Sequence, residues 1–164
     1  MANLLGIAVE TITPESLAHY ELIATVDVQP HYFGGLLNRV GLVVDHHPEQ
    51  PGYTSAFKDI RADYGSTSTI LTEHLRAVDA NISERTATAM LYAIKSDTLF
   101  LSRHTNNEDL EAFTFLYPRA SATLVRKMEG SAITLERLMF VSQAVRQGQT
   151  SSQLFTACLL YTSD

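Results

Sequence analysis

Apolar and polar positions along this chain alternate in the order strand, helix, strand, helix, strand, and then mostly helices. The clearest strands are Leu22-Ile23-Ala24-Thr25-Val26 and Leu42-Val43-Val44, the second closing the run that begins at Val40. Both are short, valine-containing and bounded by turn residues. Alternation predicts a further short strand over Ile7 to Thr11. Pro14 to His19 reads as a helix capped by Thr13. Ser66 or Thr67 opens a helix to about Asp79, and Ser83 with Glu84 opens another to about Lys95. Asn106 or Asn107 starts a third that ends before Pro118. Ser121 to Met128 and Leu135 to Arg146 are two more, with Gly130 and Gly148 as stops. Pro48 to Tyr64, carrying Pro48, Pro51 and Gly52, is the longest loop-like region. The alternation at the front implies a parallel sheet. The expected class is α/β, a partial doubly wound parallel sheet with a helix-rich C-terminal half.

Two strand ends carry chemistry. Asp45-His46-His47 closes the apolar run Val40 to Val44, and Asp27 follows Leu22 to Val26, with Pro30 as a stop. Unpartnered imidazoles and carboxylates buried there would cost several kcal/mol, on the order of ordinary desolvation penalties. Ligands in open α/β sheets sit at the carboxyl ends of strands. Parallel pairing would bring both acids and both histidines to one edge, a set suited to a divalent ion of the Mn, Zn or Fe kind. Either aspartate alone would serve equally well as a helix N-cap.

Asp97 follows the expected end of the Ser83 to Lys95 helix. A carboxylate there faces the negative end of the helix dipole, at a cost of about 0.3–1 kcal/mol that a bound cation would reverse; a solvated loop aspartate is the alternative. Ser66 and Thr67 suit a helix cap and, as a second role, a phosphate site at the helix N-terminus. Arg103 and His104 follow Asp97, and an arginine fork suits phosphate; surface ion pairing competes with that reading. His31 lies close to Asp27 but fits a surface loop, and His19 and His74 read as solvated helix residues. No serine-histidine-acid triad is visible by order or motif.

Composition narrows the class. The chain has 164 residues, 45% of them hydrophobic, and a formal net charge of −6. That length supports one domain with a core. An acidic balance argues against a general duplex-DNA binder, though metals reverse the local sign at a nucleotide site. Cys158 is the only cysteine, so no intramolecular disulfide forms within the chain. No apolar run of about 18 residues and no basic-then-apolar leader is present. The composition fits a cytoplasmic protein.

The run Val-Val-Asp-His-His resembles the signature of the DHH phosphoesterase superfamily. Asp27 in Ala-Thr-Val-Asp resembles that family's preceding metal aspartate. Gly65-Ser66-Thr67-Ser68-Thr69 followed by Ile-Leu-Thr-Glu-His-Leu resembles its Ser-Thr helix start. Many relatives carry an acidic residue at the position of Thr69. Tyr92-Ala93-Ile94-Lys95-Ser96-Asp97-Thr98 resembles its later Asp-Thr segment. The four matches fall in order over residues 23 to 98, nearest to the oligoribonuclease/3′-phosphoadenosine-5′-phosphate phosphatase branch.

The resemblance implies a metal-dependent phosphoesterase acting on short oligonucleotides or small nucleotide phosphates. Its metals would be two divalent ions, Mn2+ first, with Mg2+ or another ion as substitute. Asp27, His47 and Asp97 would be metal ligands. Asp45 would ligate or orient His47, and His46 would contact the scissile phosphate. Ser66, Thr67, Arg103 and His104 are read from residue type and position as candidate substrate contacts. A homodimer is one candidate assembly, and the sequence does not choose an oligomeric state.

The same resemblance implies missing parts. An Asp-x-Asp with a nearby histidine is expected upstream, yet Met1 to Val26 contains no aspartate. A C-terminal domain with a glycine-rich, histidine-bearing loop is expected downstream. Residues 1–157 are therefore read as a partial catalytic domain, impaired by itself. Residues 158–164 are read as a non-native tail, because Cys158 to Ser163 back-translates to a string resembling a transposon end used in sequencing libraries. Two other functions compete: a nucleotide-binding regulatory module without turnover, and an inorganic pyrophosphatase, which shares the triplet but matches the Ser-Thr and Asp-Thr segments less well.

Overall fold

The structure is a computed structural model that describes residues 2–37, 39–130, 135–147, 149–151 and 154–156. Met1, Gly148, Cys158 and the suspected tail 158–164 lie outside the described residues. Two compact units are present, Met1–Glu129 and Gly130–Asp164.

In the first unit the runs rich in β-branched residues become strands because such side chains fit a pleated surface. β1 (Ala24–Val26), β2 (Arg39–Asp45) and β3 (Thr54–Ile60) form one sheet in the order β1-β2-β3. Both pairings are parallel. Val26 lies opposite Val44, and Asp45 opposite Ile60, so all three carboxyl ends share one edge. With helices on both sides of the sheet, the expected α/β class holds.

Three local expectations differ from the structure. Ile7 to Thr11 forms no strand: these residues are largely exposed, and β1 is the sheet's outer strand among the described residues. The helix expected between the first two sheet strands is a single 3₁₀ turn, Pro30–Phe33, entered at a proline and left at Gly34 in the left-handed region. The loop-like region Pro48 to Tyr64 contains β3. Its sequence Thr-Ser-Ala-Phe-Lys-Asp-Ile lacks a continuous apolar run because the strand lies at the sheet edge and is half exposed.

The helices begin where the capping residues stand. α1 (Pro14–Leu17) is one turn, closed by a Thr13/Ser16 capping box. α2 (Thr67–Ala77), α3 (Glu84–Asp97) and α4 (Asn107–Leu116) are capped by Ser66, Ser83 and Asn106, each accepting a backbone N–H of the first turn. α5 spans Ala122–Glu129.

Two apolar clusters support the unit. Leu37, Val40 and Val43 pack with Leu17, Ile23, Phe33, Tyr53 and Ile60 around the sheet. Ala87, Met90, Leu91 and Ile94 of α3 pack with Ala112, Leu116, Val125 and Met128. The first cluster anchors β2 and the second anchors α3, the two elements whose ends carry Asp45 and Asp97.

The second unit contains α6 (Leu135–Gln147) and an antiparallel pair, β4 (Gln149–Ser151) and β5 (Leu154–Thr156). No helix among the described residues is long and apolar enough to cross a membrane.

Candidate metal centre

β1 delivers Asp27 to the carboxyl edge of the sheet. Its N–H continues the ladder to the Val44 carbonyl at 3.0 Å, and its φ of +63° turns the chain away from the strand. Aspartate tolerates this left-handed conformation better than most residues. The Asp27 carboxylate stands 54% exposed and accepts the Thr67 hydroxyl at 2.7 Å through Oδ1.

β2 delivers Asp45, His46 and His47. Asp45 is fully buried. Its Oδ2 accepts the Gln29 amide at 2.8 Å, and its Oδ1 accepts the Nδ1–H of His47 at 2.8 Å and the His47 backbone N–H at 3.3 Å. Burial works to raise its pKa, but these hydrogen bonds outweigh it, and the carboxyl sits below its ordinary range. Asp45 correspondingly raises the pKa of His47 against the effect of desolvation, with the charges of Asp27 and Asp97 adding.

Both histidines are oriented through Nδ1. A carboxylate and a carbonyl only accept, so His47 Nδ1–H points to Asp45 and His46 Nδ1–H to the Tyr64 carbonyl at 3.2 Å. In the neutral rings this leaves Nε2 of each with its lone pair free. The His46 backbone N–H is held by Thr67 Oγ1 at 3.2 Å, and the two rings lie edge to face at 4.4 Å. His46 Nε2 is 3.6 Å from Asp27 Oδ1. Asp27, His46 and His47 each offer one ligand atom, all within 4.8 Å of one another. A carboxylate with two imidazoles suits Mn, Fe or Zn. Carboxylate- and carbonyl-backed imidazoles are how ligating histidines are generally held. The donor set therefore fits a divalent cation.

The chain end of α3 brings Asp97 to the same region. It is the last residue of the helix rather than a residue beyond it, and its Oδ2 accepts the Ser66 hydroxyl at 2.7 Å. Burial pushes its pKa up, the Ser66 bond opposes this, and the negative charge of Asp27 adds to the rise. Ser66 thus caps α2 through Ser68 N and holds Asp97 at the same time.

The other sequence candidates are more scattered. Arg103 and His104 are exposed, and neither side chain bonds to the site among the described residues. His31 is exposed against Tyr32. His74 is not simply solvated: its Nε2 meets Asp59 Oδ2 at 2.8 Å.

Two supporting residues were not among the sequence candidates. Gln29, fully buried, also accepts the Gln50 N–H at 2.8 Å and so ties the loop after His47 to Asp45. Asp109, equally buried, accepts the N–H groups of Gly65 and Asn106, both at 2.9 Å, and the Thr69 hydroxyl at 2.5 Å. The only available hint was Asp109 at the third position after Asn106, a capping-box spacing.

No family model matches the chain. It is 32% identical over 146 residues to an uncharacterized protein of Methanocaldococcus jannaschii, an alignment that covers 88% of this chain and 30% of that protein. Among solved structures it is similar to an exopolyphosphatase-related protein from Bacteroides fragilis, with a TM-score of 0.68 and 13% identity. That superposition covers 84% of this chain and 44% of the other. The two share a fold. The chain spans less than half the length of either protein.

Proposed function

We propose that this chain is the metal-holding core of a divalent-metal-dependent phosphoesterase that hydrolyses short oligonucleotides or small nucleotide phosphates. The observation that carries the reading is the convergence of Asp27, His46 and His47 at the carboxyl edge of a parallel sheet, with Nδ1 of both rings already engaged. The DHH-like motif order over residues 23 to 98 and the fold shared with an exopolyphosphatase-related protein support it.

In this reading Asp27, His46 and His47 hold the ion, and Asp97 supplies a further carboxylate next to them. A bound divalent ion, Mn2+ first, supplies Lewis acidity toward a phosphoryl oxygen and lowers the pKa of a bound water toward neutrality. Asp45, by engaging Nδ1, keeps the His47 Nε2 lone pair free for the ion. Thr67 fixes one oxygen of Asp27, leaving the other free. Ser66 shares the raised-energy carboxylate of Asp97, whose repulsion with Asp27 a cation relieves.

The competing reading, a nucleotide-binding regulatory module without turnover, is favoured by one observation. Among the described residues only one such group of ligand atoms converges, whereas two-ion catalysis needs both ions held in register. The test is hydrolysis of a diribonucleotide and of 3′-phosphoadenosine-5′-phosphate with Mn2+. This chain is expected to turn over very slowly and a chain extended to the length of its archaeal relative much faster. His47→Ala or Asp27→Ala in the extended chain should lower the rate by about 10³-fold or more, since removal of a metal ligand disables the ion. An extended chain that binds nucleotide and hydrolyses neither compound would favour the regulatory reading.

A further inference from the structure

Arg61 lies one residue beyond β3, and its backbone N–H donates to the Asp45 carbonyl at 3.0 Å. Its guanidinium is at the centre of a polar cluster. Nε and Nη2 form a fork on Asp59 at 2.7 and 2.8 Å. Nη1 donates to Glu73 Oε2 at 2.5 Å and to the Tyr64 hydroxyl at 2.8 Å. The Tyr64 hydroxyl in turn donates to Glu73 Oε1 at 2.8 Å. An arginine beside a phosphoesterase site invites assignment to phosphate. The geometry argues against that. Four of the five N–H groups of the fork are occupied by Asp59, Glu73 and Tyr64, so little of its donor face remains for an incoming phosphate.

The cluster leads elsewhere. Tyr64 is held at its hydroxyl by Arg61 and Glu73 and at its backbone N–H by the Arg61 carbonyl at 3.1 Å. The Tyr64 carbonyl is the group that accepts from His46 Nδ1. We propose that Arg61 is a positioning residue, which through Tyr64 fixes His46 in the Nδ1–H tautomer with Nε2 turned to Asp27. Asp45 does this for His47 by direct contact; the Arg61–Tyr64–Glu73 cluster does it for His46 at one remove. The role attributed to His46 rests on the metal-centre reading; the tautomer itself does not.

The test uses the full chain with uniformly 15N-labelled histidine, in long-range 15N–1H spectra at a pH where both rings are neutral. The wild-type His46 should show a protonated Nδ1 and an unprotonated Nε2. In Arg61→Met and in Tyr64→Phe, His46 should show a mixture of the two tautomers while His47 keeps one. Arg61→Lys, which retains charge but not the fork, should behave like Arg61→Met. Mn2+ affinity should fall by about 10-fold in these variants, the low end of what loss of a ligand's supporting partner costs. If Arg61→Met does not fold, Tyr64→Phe, which removes one hydroxyl, decides. A single unchanged His46 tautomer in the folded variants would overturn the proposal. Shifted tautomers in a protein that binds no Mn2+ would sustain it and instead count against the metal centre.

Discussion

Asp45, with no exposed surface, accepts the Nδ1–H of His47 at 2.8 Å. The contact explains why an acid precedes two histidines at the end of β2. Asp45 is the buried last residue of β2, and its neighbour His46 is half buried. His47, beyond the strand, turns back to share that carboxylate. Gln29 occupies the remaining oxygen, so the buried charge is satisfied.

Asp45→Asn should keep the fold and weaken the backing of His47. The expected outcome is a 10- to 100-fold loss of Mn2+ affinity, roughly the effect of removing a ligand's carboxylate partner. Isothermal titration of the folded variant against wild type measures it.

Thr67 joins Asp27 to His46: its hydroxyl donates to Asp27 Oδ1 and accepts the His46 N–H. Thr67→Val conserves shape and removes both bonds. Unfolding by urea should show a loss of about 1–2 kcal/mol, the scale of lost hydrogen bonds with one buried partner left over. Thr67→Ser should restore most of it. A Thr67→Val protein as stable as wild type would contradict the bridging role.

Gly65 has no room for a side chain. A Cβ placed there would lie 2.6 Å from the His104 carbonyl and from Thr98 Cγ2, and 2.7 Å from Asp109 Oδ2. Gly65→Ala should therefore destabilise by about 2 kcal/mol or more, as overpacking against fixed groups does. It should also disturb Ser66 and hence Asp97. Thermal melting gives the first effect, and amide shifts at Ser66 and Asp97 the second.

Asp59 supplies a pH dependence away from the metal centre. The Arg61 fork lowers its pKa below the ordinary 3.8, against the effect of burial, with His74 adding. A depressed carboxylate pKa stabilises the fold above its unfolded value and loses that contribution as pH falls through the folded one. Stability should therefore decline below about pH 4, and Asp59→Asn should flatten that acid limb while lowering stability at neutral pH. Denaturant midpoints from pH 3 to 7 check both.

The parts of this molecule legible in its sequence were those written locally. Caps at Ser66, Ser83 and Asn106 mark helix starts because they satisfy N–H groups a few residues away. The run before Asp45 marks the buried central strand β2, which needs apolar residues on both faces, whereas the run before Asp27 stands in the outer strand β1, where only Thr25 is buried. β3 was illegible because an exposed edge strand needs no such run, and Ile7 to Thr11 misled because a brief alternation occurs without a sheet to join. Asp27, His46 and His47 could be named as candidates. That His46 groups with the other two more tightly than Asp97 depends on the Tyr64 carbonyl and Thr67 hydroxyl, contacts between residues far apart in the chain. Gln29 carried no pattern and Asp109 only its capping-box spacing from Asn106, since a buried polar residue reveals itself mainly through the partners that satisfy it.

The central claim is that Asp27, His46 and His47 hold one divalent ion. Mn2+ titration of the full chain, followed by the loss of the free-ion electron paramagnetic resonance signal, tests it most directly. One weak site is expected, abolished by Asp27→Ala, His46→Ala or His47→Ala and retained in Arg103→Ala. Absence of any binding by the wild-type chain, or binding that survives all three ligand substitutions, would contradict the account.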